Sequence, residues 1–282
     1  MSPSSSAVRP RERIGSLLRR RPSPGGHPPA DPSTTITFER SRSSGRSADK
    51  PFAQTYLSPG PLVAHPEDSC FLLQPRKVRT HSPAVFYLHD WGETATAALS
   101  RSTRLTRFLQ SLAELGYLVV VADFGDPAAR DHTGSSLPFD SNHVAQRMEE
   151  YRRWLATRPA AASNANVSTI GLLGSGRGAA SCLAYARAHR STVSVMAAVN
   201  PVMDADLEAL APVAGIPWRG YYRSDDPAVD TATLAGLKRH LGESTSIYDV
   251  GTTGGHRTDV WGDLSFTAFT SWFSTYHPVP PH

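Results

Sequence analysis

The segment Ile170-Gly171-Leu172-Leu173-Gly174-Ser175-Gly176-Arg177-Gly178-Ala179-Ala180 is the part of this sequence closest to a catalytic motif. It reads as a strand that turns sharply into a helix. That geometry holds the apex residue in strained backbone angles. Strand and helix crowd each other there, so the residues two before, two after and three after the apex must be small. Gly174, Gly178 and Ala179 meet that demand when the apex is Gly176. Glycine has nothing to attack with. Shifting the frame to make Ser175 the nucleophile puts Leu173 and Arg177 at crowded positions, and the turn would not close. The same glycines do not make a nucleotide site: no P-loop lysine follows, and no acidic residue ends the next strand. His81, His132, His143, His189 and His240 have no metal-ligand spacing among them, and no metal or other cofactor is expected.

The elements that must position this turn are legible as an alternation. Cys70–Gln74 and Ala84–Leu88 read as strands, Ala95 to Leu115 as one helical stretch with a 3.6-residue apolar face, and Tyr117–Ala122 as a buried strand. Asp140–Thr157, Gly178–His189, Thr231–Leu241 and Leu264–Tyr276 read as helices. Val167–Leu173, Val193–Val199, Trp218–Tyr222 and Ser246–Val250 read as strands. Continuous apolar strands alternating with helices predict an α/β fold with a mostly parallel central sheet covered by helices on both faces. Glu149-Glu150 and Arg152-Arg153 are expected to form a solvated, charge-paired helix face.

Composition divides the chain in two. The 282 residues carry 29 Lys+Arg against 25 Asp+Glu, a net +4. Residues 1–50 hold ten basic and four acidic residues, so the remainder is slightly acidic. With eleven Ser, seven Pro and one aromatic residue, Phe38, residues 1–50 cannot bury enough apolar surface to offset their ordering entropy. The expected organisation is a disordered basic arm over 1–50 and one domain over 51–282. The arm's alternatives are a tether to an anionic surface or partner, or an organellar transit peptide. No apolar run is long enough to span a bilayer, so a cytoplasmic location is the expectation. Cys70 and Cys182 are too isolated for a disulfide framework.

The turn around Gly176 resembles the G-x-S-x-G nucleophile elbow of the α/β-hydrolase superfamily, with glycine in place of serine. Other segments resemble the family's remaining parts in chain order. Tyr221 to Val229 looks like the acid-bearing loop, with Asp226 the best match and Asp225 its competitor. Val250 to His256 looks like the glycine-rich loop that carries the catalytic histidine. His89-Asp90-Trp91-Gly92 resembles the oxyanion turn after the strand Ala84–Leu88, and the backbone N–H groups of Trp91 and Arg177 would be its two donors. Here Asp90 stands where a glycine is expected, and a carboxylate would oppose an oxyanion. His-Asp-Trp-Gly also resembles the aspartate-nucleophile elbow of epoxide hydrolases and haloalkane dehalogenases. Leu88 and Glu93 fit the crowded positions of that elbow badly.

The resemblance is nearest to compact esterases of the dienelactone-hydrolase kind, with room for only a minimal cap between Pro201 and Ile216. It implies the α/β-hydrolase fold, carboxylic-ester substrates and no cofactor. In such an enzyme a serine attacks, His256 takes its proton and Asp226 orients the imidazole. With Gly176 that attack is missing. The expectation is a degenerate hydrolase that binds a small apolar, ester-like ligand or a protein partner in the old cleft. A weak hydrolase using a water activated by His256 and Asp226 is the alternative, and no nucleic-acid site is expected. Trp91 and Trp261 would line the cleft or pack in the core.

Overall fold

The computed structural model describes residues 52–57, 70–75, 81–122, 140–157, 165–203, 211–251 and 260–280. All belong to one compact unit, Ile36–His282. Residues 1–50 lie outside the described residues, as do 204–210, part of the 201–216 stretch where the minimal cap is expected, and 252–259, which include His256.

Strands β1 (Phe52–Leu57), β2 (Cys70–Pro75), β3 (Ser82–Leu88), β4 (Leu118–Ala122), β5 (Ala165–Ser175), β6 (Val193–Val199), β7 (Trp218–Tyr222) and β8 (Thr245–Asp249) form one sheet. Its order is β1-β2-β4-β3-β5-β6-β7-β8. The six strands from β3 to β8 are parallel, while β2 runs antiparallel to β4 and β1 antiparallel to β2. The helices are α1 (Ala95–Arg101), α2 (Thr103–Leu115), α3 (Ser141–Thr157), α4 (Gly178–Ala188), α5 (Thr231–Leu241), α6 (Val260–Asp263) and α7 (Phe266–Tyr276).

Strand side chains alternate between two buried faces. Ala84, Phe86 and Leu88 of β3 pack with α3, α4 and α5, through Met148, Trp154, Leu183 and Leu237. Val85 and Tyr87 face the other way, toward α1, α2, α6 and α7, through Leu105, Phe108, Trp261 and Phe273. Both faces are covered, which is why the central strands are apolar throughout rather than alternating.

Three details depart from the sequence reading. β1 precedes the first expected strand and pairs along its length with β2. The helix expected over 95–115 is broken at Ser102, whose backbone is extended (φ −115°, ψ 98°) and whose hydroxyl accepts the Leu105 N–H. A serine cap there makes two helices of one. The charged face of α3 is not wholly solvated either: Glu149 is buried and accepts from Arg152, Arg153 and the Tyr185 hydroxyl of α4. Burial alone would raise its pKa, but these hydrogen bonds outweigh it and bring it down to about 2.

His277, just beyond α7, closes the domain. Its Nε2–H donates to the Ala84 carbonyl (3.0 Å) and its Nδ1 lies 2.8 Å from the Ser194 hydroxyl. The ring stacks on Tyr117, whose hydroxyl donates to the His277 carbonyl. Burial disfavours the charged imidazolium and lowers its pKa from 6.5 to about 4, against a smaller opposing effect of the Ala84 carbonyl. The unfolded chain therefore takes up a proton near pH 6.5 while the folded one does not, and stability present above that pH is lost on acidification toward pH 4. The loss is up to about 3 kcal/mol from this one ring. Urea unfolding at pH 7 and pH 4.5 checks it: His277→Phe should show a shallower pH dependence than the natural chain. Equal dependence would remove His277 from the account.

Candidate functional site

The parallel strands deliver their C-terminal ends to one edge of the sheet, where crevices in such folds hold ligands. At that edge β5 turns into α4. Gly176 is at the turn with φ +54°, donates its N–H to the Val199 carbonyl at the end of β6, and accepts from Ala179 and Val202. A left-handed φ of this kind is costless only for glycine. The approach of strand and helix is close: a Cβ on Gly174 would lie 2.7 Å from the Ala179 backbone, and one on Gly178 would lie 2.3 Å from the Leu88 carbonyl oxygen. The neighbouring strand ends are stitched together. Asn200, itself at φ +42°, donates its N–H to the Tyr221 carbonyl, and its side-chain oxygen accepts the Arg223 N–H.

Beside this turn is the loop after β3. The Asp90 Oδ1 accepts the Trp91 N–H at 2.8 Å and the Arg177 N–H at 2.8 Å. These are the two groups that the sequence reading casts as oxyanion donors. They come from different loops, and they converge on a single carboxylate oxygen. The carboxylate also fills the space over the turn, since a Cβ on Gly176 would lie 2.2 Å from the Asp90 Cγ and 2.4 Å from Oδ2. His89 Nδ1 lies 3.0 Å from the Asp90 carbonyl, which also accepts from Glu93. A carboxylate at the first turn of α4 is favoured by the unpaired N–H groups and the helix dipole.

The remaining site candidates lie on other elements, and His256 is outside the described residues. Asp226 is buried, its side chain accepts the Ala228 N–H at 2.9 Å, and Asp225 beside it is exposed. Arg223, in the same loop, pairs with Asp263 of α6, which also binds Arg104 of α2. Ser175 does not face the cleft. It is 1% exposed, and its hydroxyl is held by the Tyr87 hydroxyl (2.8 Å) and the Trp261 indole N–H (2.8 Å). Trp261 is itself fully buried, so of the two tryptophans it is the core one, while Trp91 is half-buried against the core. Among the described residues no group of three or more His, Cys, Asp or Glu is placed to hold a metal ion. Among them, too, no helix is long and apolar enough to cross a membrane.

The position of the Asp90 carboxylate is what sequence reasoning missed. It treats Gly176 and Asp90 as two separate departures from one family pattern. In space they are one arrangement, because the carboxylate sits where a side chain on residue 176 would be. The signal was there: a residue with no side chain at the apex and an acid on the loop after β3.

This strand order, with the turn at the end of β5, is that of the α/β hydrolases. The chain is similar in structure to a dienelactone hydrolase from Anabaena variabilis, with TM-score 0.61 and 19% identity over 80% of this chain and 98% of that one. A Klebsiella pneumoniae protein described as a dienelactone hydrolase gives TM-score 0.59 at 14% identity, over 80% and 99% of the two chains. A CIB-like hydrolase from Thermoplasma acidophilum gives TM-score 0.54 at 15% identity, over 79% and 97%. No protein-family model matches the sequence. No curated protein matches it either. The likeness to solved structures shows the fold: this is an α/β-hydrolase scaffold.

Proposed function

We propose that this protein is an α/β-hydrolase-fold protein in which serine-type ester hydrolysis is shut off, and that its cleft serves to bind a small apolar, ester-like ligand or a protein partner. The observation that carries this reading is the Asp90 carboxylate, which takes both N–H groups that would stabilise an oxyanion and sits over Gly176. An ester carbonyl entering the site meets an acceptor where acyl-transfer catalysis needs donors, and no nucleophile stands at residue 176. The fold neighbours include dienelactone hydrolases, so esters and lactones are the class of compound to test.

The full chain should hydrolyse short p-nitrophenyl esters no faster than buffer. Turnover in the natural chain that disappears in His256→Ala would overturn the reading. It would favour instead a water activated by His256 with Asp226 as its partner, a role that the burial of Asp226 fits better than the exposure of Asp225.

A further inference from the structure

We propose that the outer edge of β8, together with the aromatic surface around Arg219, is a docking site for an extended, acidic segment of a partner protein that adds to the sheet as a further strand. The site is separate from the cleft. Arg219 is the second residue of β7, whereas the cleft lies at the C-terminal ends of the parallel strands.

β8 is the last strand of the sheet among the described residues. The Ser244 carbonyl accepts from Trp218 at one end of the pairing with β7, and the Val250 N–H donates to the Tyr222 carbonyl at the other. In a parallel ladder both backbone groups of alternate residues point the same way. Ser246 and Tyr248 therefore also bond to β7, while Ile247 and Asp249 turn their N–H and carbonyl groups outward. Such an edge is a template for another strand, and β8 carries neither the lysine nor the proline that commonly guards one.

The sheet face beside this edge favours an acidic strand. Arg219 and Tyr221 of β7 share that face with Ser246 and Tyr248 of β8. The Arg219 guanidinium carbon is 4.4 Å from the ring centroid of Trp272 in α7 and 5.6 Å from that of Tyr248. Tyr248 stacks on Tyr221, Trp272 touches Tyr276, and Tyr248 and Tyr276 are both 42% exposed. The cation is thus held by rings, its Nε has no hydrogen-bond partner, and among the described residues no carboxylate pairs with it. A planar guanidinium placed against aromatic faces is well suited to receive a carboxylate. Its neighbour toward the edge is Ser246, a short side chain, so a Glu on an added strand opposite Ser246 meets no bulky group on its way to Arg219. The next residue on the same face of that strand would lie against Tyr248.

Charge argues against two other occupants. Residues 1–50 hold ten basic residues against four acidic ones, the wrong sign for Arg219. A second copy pairing β8 with β8 about Ile247 would set Asp249 across from Thr245, on the face away from Arg219, and would bring the cation no carboxylate.

The probe is a blocked peptide of alternating Glu and Val, about as long as β8, with a peptide of alternating Lys and Val as the control. Added to the full chain, the Glu peptide should shift the amide resonances of Ile247 and Asp249 and the indole resonance of Trp272 saturably, and the Lys peptide should not. Arg219→Gln should weaken binding at least about 10-fold, the loss expected for one hydrogen-bonded charge. Ile247→Pro removes an outward N–H that β7 does not use, and should abolish binding with little change in Tm. Equal binding of the two peptides would overturn the proposal, as would an Arg219→Gln chain that binds the Glu peptide as tightly as the natural chain does. So would absence of binding, or self-association of the natural chain that Ile247→Pro abolishes, which would make a second copy the occupant.

Discussion

Gly176→Ser by itself should give a protein less stable than the natural chain and still silent toward esters. A hydroxyl at the apex looks like the direct way to supply a nucleophile, but the structure opposes it twice. At φ +54° a side-chain-bearing residue costs of order 1–3 kcal/mol. Its Cβ would also fall 2.2 Å from the Asp90 Cγ, so the carboxylate must leave both its donors. A loss of about 3 kcal/mol, summed from strain and from the displaced hydrogen bonds, is the expectation. Asp90→Gly in the same chain removes the collision and vacates the two N–H groups. The double variant should regain part of the stability, with a coupling energy of about 1–3 kcal/mol between the sites. It should also hydrolyse p-nitrophenyl acetate at least about 100-fold faster than the natural chain, since a restored nucleophile with its oxyanion donors is worth far more than that in serine hydrolases. Urea unfolding of the four chains and their ester rates check both parts. A Gly176→Ser chain as stable as the natural one would mean that Asp90 and residue 176 do not compete for space.

The second large effect is expected at Gly178, which touches no ligand in any reading of the cleft. Gly178→Ala would place a methyl group 2.3 Å from the Leu88 carbonyl oxygen and 2.7 Å from that of His89. Both are backbone atoms in a buried strand and its exit, so neither can swing aside as a side chain would. The cost should be about 3 kcal/mol or more, the upper part of the range for overpacking. The variant should also lose the hydrogen bond from Arg177 to Asp90, because a helix pushed off β3 carries the Arg177 N–H with it. Ala at an ordinary helix position is favoured over Gly by about 1 kcal/mol, so a stabilised Gly178→Ala would contradict the packing described above.

Much of the scaffold was legible in the residues. β6, β7 and α5 have the limits that their apolar runs and flanking residues suggest. Strands buried on both faces show no polar alternation, and that mark of a parallel sheet can be read without coordinates. The break at Ser102 was harder to read because serine is tolerated inside a helix, and its role as a cap depends on the chain leaving helical angles there. His277 gave no sequence signal at all. A lone histidine near the end of a chain reads as solvent-exposed until Ser194, Ala84 and Tyr117 are seen around it.

By itself the sequence determined the alternation of strands and helices from β2 onward, the sharp turn after β5, and a residue at 176 that carries no nucleophilic side chain. These are local matters of periodicity, of residue size and of which atoms a residue possesses. Only the tertiary structure decided what lies over Gly176. Asp90 and Arg177 are 87 positions apart, and no local rule connects them. The contact arises because β3 and β5 are adjacent parallel strands that end at the same edge, so the loop leaving one faces the helix leaving the other. That adjacency brings the Asp90 carboxylate to the first turn of α4.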